Sequence, residues 1–103
     1  MGVVTIERVG EHLGEEVTIR GWLYNLREAG KLLFPIFRDG TGLLQGVVSQ
    51  KEQPEAFAAL RGLTQESSVI VTGRIRSEPR APGGFEIGVT RVEVVQSVSA
   101  SEP

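Results

Sequence analysis

Few side chains in this 103-residue sequence are suited to chemistry, and their types narrow the functions open to it. There is no cysteine, so thiol catalysis is excluded, and the single histidine, His12, cannot build a zinc site of the His/Cys kind. Gly40-Thr-Gly-Leu-Leu-Gln-Gly46 has the glycine content of a phosphate-cradling loop. It opens no helix and joins two apolar runs, which makes it a hairpin turn. What remains are groups that stack, hydrogen-bond and attract. Phe34 and Gln45 lie inside alternating apolar runs, and seven of the eleven Lys and Arg residues fall in two clusters. Arg20 to Asp39 sets Arg20, Arg27, Lys31 and Arg38 against Glu28 and Asp39, and Arg74 to Arg80 sets three arginines against Glu78. The whole chain carries a net charge of −2, which argues against indiscriminate polyanion binding. Two basic segments brought to one face would still supply local attraction for phosphate, although for any single charge a solvated surface is the plainer reading.

The elements that must position these groups follow from periodicity. Thr5 to Leu13 reads as a short helix, with Thr5 as its cap, Ile6, Val9 and Leu13 at helical spacing, and Gly14 as its stop. Glu16 to Arg27 alternates and is rich in β-branched and aromatic residues, so it reads as a long strand, and Gly21 within it suggests a bend or bulge. Glu28-Ala-Gly30 is a turn, Lys31 to Arg38 a second strand, Asp39 to Gly42 a tight turn, and Leu43 to Ser49 a third strand. Pro54 to Arg61 begins with proline and is rich in helix formers, which predicts a helix. Ser68 to Ser77 and Phe85 to Val95 return to strand around a Pro/Gly loop, Pro79 to Gly84. Residues 1–96 thus form one domain, and the small polar stretch Ser97 to Pro103 looks like the start of a linker.

Three strands, a helix and two further strands, after an N-terminal helix, is the element order of the OB-fold. This is an all-β class with short helices, built as a five-stranded Greek-key barrel with a helix between strands three and four. Such barrels present strands two and three to oligonucleotides, and single-stranded RNA is read by stacking bases on aromatic rings and hydrogen-bonding their edges. Strand two supplies Phe34, which alternates with Leu33 and Pro35 and so faces away from them; strand three supplies the amide of Gln45. Pro35 removes an amide donor within strand two and implies a local bulge or edge there. Trp22 reads as a core or rim residue in preference to a stacking platform.

The string Gly21-Trp-Leu-Tyr-Asn-Leu-Arg-Glu-Ala-Gly-Lys-Leu-Leu-Phe34, then Arg38-Asp-Gly-Thr-Gly42 and Leu44-Gln45, resembles the N-terminal anticodon-binding domain of the class IIb aminoacyl-tRNA synthetases. Arg80-Ala-Pro-Gly-Gly-Phe-Glu86 extends that resemblance, which is closest to bacterial asparaginyl enzymes and covers nearly the whole chain. It implies that Phe34 stacks on the central anticodon uridine, that Gln45 hydrogen-bonds its edge, and that Arg27 contacts the loop. Arg76 and Glu78 fall where the family reads the first anticodon base, and Lys31 joins the candidate RNA-binding set by its place in the first basic segment. No catalytic or metal-binding residue is expected in this chain, and no cofactor of its own. ATP and magnesium would serve a catalytic domain beyond the linker, in an enzyme that works as a cytoplasmic homodimer. The longest apolar runs, such as Leu32 to Phe37, are far short of the ~20 residues that span a bilayer, so no membrane partner is expected. The readings left open are a generic single-stranded nucleic-acid binder, an aspartyl-type anticodon domain and a protein adaptor built on the same barrel. The first of these usually has a more basic groove and more aromatics.

Overall fold

A computed structural model describes residues 3–96. Five strands, β1 (Glu16–Ala29), β2 (Leu32–Arg38), β3 (Leu43–Ser49), β4 (Ser68–Ser77) and β5 (Phe85–Gln96), close a barrel in the order β1-β2-β3-β5-β4. Helix α1 (Pro54–Arg61) joins β3 to β4 and packs on β5, β2 and β3 through Ala56, Phe57 and Leu60. Neighbouring strands run antiparallel except β3 and β5, which pair in parallel over Gln45–Glu86, Gly46–Ile87 and Val47–Gly88. This is the Greek-key barrel expected from the element order.

Alternation sorts the strands into two faces. In β2, Leu33, Pro35 and Phe37 are buried while Phe34, Ile36 and Arg38 are partly exposed. In β4 the buried set is Val69, Val71, Gly73 and Ile75. Together with Leu23, Leu44, Val48, Ile87 and Leu60 these side chains fill the barrel, each nearly or wholly removed from water. Full burial of such an aliphatic side chain contributes about 1.5–3 kcal/mol, so the inward positions are the ones that hold the barrel shut. The outward positions are left free for recognition.

Four local expectations are corrected. The N-terminal helix, Ile6–His12, is a 3₁₀ helix, and Thr5 makes no side-chain cap. The cap comes from the β2–β3 turn instead: Asp39 Oδ2 accepts from the Ile6 amide at 2.8 Å, and Thr41 Oγ1 accepts from the Glu7 amide at 3.1 Å. The bulge in β1 falls between Leu23 and Asn25, not at Gly21. Gly21 serves close approach, since a Cβ there would lie 2.4 Å from the Arg38 carbonyl oxygen, where β1 passes from pairing with β4 to pairing with β2. Pro35 causes neither bulge nor edge. The β2–β3 ladder skips Phe34 and Pro35 but keeps one register on both sides, from Leu33–Val48 to Ile36–Gln45. Gly46 gives the proline ring its room, because a Cβ there would lie 3.1 Å from Pro35 Cγ. The outward presentation of Phe34 survives. The turn between β1 and β2 is Gly30-Lys31, with Gly30 at φ 61° and β1 running on through Ala29. The expected linker, 97–103, lies outside the described residues.

Candidate nucleic-acid interface

The β1–β2 register sets Arg27 directly opposite Phe34. The guanidinium carbon lies 4.3 Å from the ring centroid, a cation–π contact. On the other side of Phe34, β3 presents Gln45, which is paired with Ile36 on β2 and Glu86 on β5. Gln45 Nε2 donates to Glu86 Oε2 at 3.4 Å. Arg27, Phe34, Gln45, Val47, Glu78, Arg80 and Glu86 together line a cleft of about 490 Å³. That volume lies within the ~300–1,000 Å³ of ordinary small-ligand pockets, so it has room for a nucleobase.

Four of the six sequence candidates therefore meet in one place: Arg27, Phe34, Gln45 and Glu78. Glu78 sits where β4 leaves the sheet and organises the β4–β5 loop. Its amide donates to the Gly84 carbonyl at 2.9 Å, and its carboxylate accepts from the Arg80 amide at 3.2 Å. Arg76 stands beside the cleft, lining the adjoining groove with Arg74, and its Nη2 is 3.1 Å from Glu86 Oε1. Lys31 is at the tip of the β1–β2 hairpin, outside the cleft lining. Arg80 and Glu86 stand in the sequence only as members of the Arg80–Glu86 string and the second basic segment, and neither they nor Val47 are among its candidate site residues. Alternation between Phe85 and Ile87 would have turned Glu86 outward, but its meeting with Gln45 depends on the β3–β5 register, which no local pattern carries.

Charge in the cleft is largely paired. Glu78 meets Arg80 at 3.7 Å and Glu86 meets Arg76 at 3.1 Å, whereas Arg27 has no ion-pair partner among the described residues. The cleft thus offers an aromatic face, an amide edge and a cation free to answer a phosphate. Trp22 stands on the barrel rim, 37% exposed, with Arg38 5.5 Å from the centroids of both Trp22 and Tyr24. Asp39–Gly42 is a hairpin turn: Asp39 Oδ1 accepts from the Thr41 amide at 2.9 Å and its hydroxyl at 2.6 Å. Burial pushes the Asp39 carboxyl up, but the hydrogen bonds from the Thr41 hydroxyl and the Ile6, Thr41 and Gly42 amides outweigh it and hold the group below its ordinary value. A second hollow, of about 520 Å³, lies between the 3₁₀ helix and the β2–β3 turn. Glu7 and Glu11 on its rim disfavour phosphate. Among the described residues no cluster of three His, Cys, Asp or Glu could hold a metal ion, and no helix is long and apolar enough to cross a membrane.

A small closed barrel that turns an aromatic, an amide and arginines outward on β1 to β3 defines an OB-fold of the oligonucleotide-binding kind. Residues 17–95 match the family model tRNA_anti-codon, described as an OB-fold nucleic acid binding domain, and the chain belongs to that family. It is 66% identical over 102 residues to the asparagine–tRNA ligase of Koribacter versatilis, covering 98% of this chain and 23% of that protein. The asparagine–tRNA ligase of Thermus thermophilus is 46% identical over 101 residues, again with 23% of its length covered. Among solved structures, the asparaginyl-tRNA synthetase of Pyrococcus horikoshii complexed with asparaginyl-adenylate superposes with a TM-score of 0.87 at 40% identity. That match covers 96% of this chain and 23% of the other. The chain spans less than a quarter of the length of the relatives it matches.

Proposed function

We propose that this chain is the anticodon-reading domain of an asparagine–tRNA ligase, binding the anticodon loop and leaving catalysis to a part of the enzyme beyond it. The observation that supports this best is the gathering of Phe34, Gln45 and Arg27 around one base-sized cleft on the outer face of β1 to β3. Phe34 stacks on the central anticodon base, Gln45 meets its edge, and Arg27 answers the backbone phosphate. Glu78, with Arg80 beside it, shapes the loop that faces the first anticodon base. Arg76 and Lys31 contribute cations at the margins of the footprint. ATP and magnesium act in the catalytic part, which pairs as a homodimer in the cytoplasm, and the isolated chain has no ATP–pyrophosphate exchange activity.

Titrating the chain with a short anticodon stem-loop, and with loops altered at each anticodon base in turn, tests the proposal. Binding is expected to be weakened most by changes at the middle position. Equal binding to duplex DNA at the same salt concentration would replace this reading with that of a generic nucleic-acid barrel.

A further inference from the structure

Gln45 is held from behind. Glu86 is paired with Gln45 on β3 and with Arg76 on β4, so one carboxylate bridges the two strands. Its Oε2 accepts from Gln45 Nε2 at 3.4 Å and its Oε1 meets Arg76 Nη2 at 3.1 Å, and the Glu86 side chain is only 14% exposed. Gly88, the next outward position on β5, leaves space for this arrangement. A Cβ there would lie 3.2 Å from both the Arg76 guanidinium carbon and Nη2.

We infer that Glu86 and Arg76 are positioning residues that fix which end of the Gln45 amide faces the base, and so set a preference for uridine over cytidine. The inference rests on the anticodon-reading proposal. A glutamine amide has a donor end and an acceptor end, and half a turn about its last bond exchanges them. A carboxylate only accepts, so the NH2 end must turn toward Glu86, which leaves Oε1 as the acceptor offered to the cleft. Uridine carries a proton on N3 and can donate to that oxygen. Cytidine has a bare lone pair on N3 and would meet it with repulsion. With the amide turned the other way, the NH2 end would favour cytidine. Arg76 keeps the carboxylate from swinging out of this relay.

The test uses the 103-residue chain and stem-loops that differ only by uridine or cytidine at the middle anticodon position. Wild type should prefer uridine by about tenfold or more, the scale set by one unsatisfied edge. Glu86→Gln can donate as well as accept, so the amide is freed to turn, and the preference should fall to roughly threefold or less with the barrel still folded by thermal melting. Arg76→Gln should give an intermediate preference. The double variant Gln45→Glu with Glu86→Gln exchanges donor and acceptor, keeps the net charge and again leaves an acceptor facing the base, so it should regain the uridine preference. A structural role alone would not produce that rescue. Preference retained in Glu86→Gln or Arg76→Gln, or not regained in the folded double variant, overturns the assignment. A wild type with no uridine preference would instead take down the anticodon reading itself, and this inference with it.

Discussion

Phe34→Ala isolates stacking from everything else in the cleft. Phe34 lies on the outer face of β2, partly exposed, while its neighbours Leu33 and Pro35 fill the barrel, so its removal leaves the core intact. Base–aromatic stacking is worth about 1–3 kcal/mol by alanine substitution. In the free protein, however, the ring is already covered by Arg27 at 4.3 Å, a contact worth about 0.5–1 kcal/mol at an exposed site. A base that takes that face must displace the guanidinium, which places the net loss in the lower part of the range, about 1–2 kcal/mol, or roughly five- to thirtyfold in affinity. Because every base has a π-face, the loss should be nearly the same whichever base occupies the middle position. Fluorescence anisotropy with labelled stem-loops carrying each base in turn would measure it, with melting curves to show that the variant is folded. A loss confined to uridine loops, or no loss at all in a folded variant, would refute the assignment of Phe34 as the stacking platform.

Other expectations follow from the same geometry. Asp39→Ala removes the acceptor that caps the 3₁₀ helix and ties the β2–β3 turn, and should cost about 1 kcal/mol at neutral pH by chemical denaturation. The folded carboxyl is depressed, so its contribution is present above the unfolded value near ~3.9 and lost as pH falls through the folded one. The stability curves of wild type and variant should therefore converge below about pH 4, and a gap that widened there would contradict this account. Gly21→Ala forces a Cβ to within 2.4 Å of a backbone oxygen and should destabilise by about 1–3 kcal/mol, read as a drop in Tm. Arg27 is the cleft cation without an ion-pair partner among the described residues, so Arg27→Gln should reduce the slope of log affinity against log salt by about one, whereas Arg80→Gln, already paired with Glu78, should change it less.

Alternation and turn chemistry made most of this legible in the residues themselves. The five strands and α1 lie within a residue or two of their expected bounds, because glycine or proline stands at most of their ends and β2, β3 and most of β4 bury every second residue. The outward face of Phe34 could be read from Leu33 and Pro35 alone. What failed were statements that depend on residues distant in sequence. Thr5 has the right type for a cap, but Asp39, 33 positions away from Ile6, supplies the acceptor. The bulge falls beside Tyr24, while Gly21 answers a carbonyl on β2. Glu86 was invisible for the same reason, since its place beside Gln45 is decided by how β5 docks against β3.

That docking has a mechanical consequence. The β3–β5 ladder is the shortest in the barrel, three residue pairs long, and it is the seam along which the cylinder is zipped shut. Gln45 and Glu86 stand on it. An RNA loop seated there would act as a clasp, binding only the zipped form and so holding the weakest stitch closed by mass action. Backbone amides of residues 45–47 and 86–88 would then exchange with solvent more slowly in the complex, while those along the ten-pair β4–β5 ladder change little.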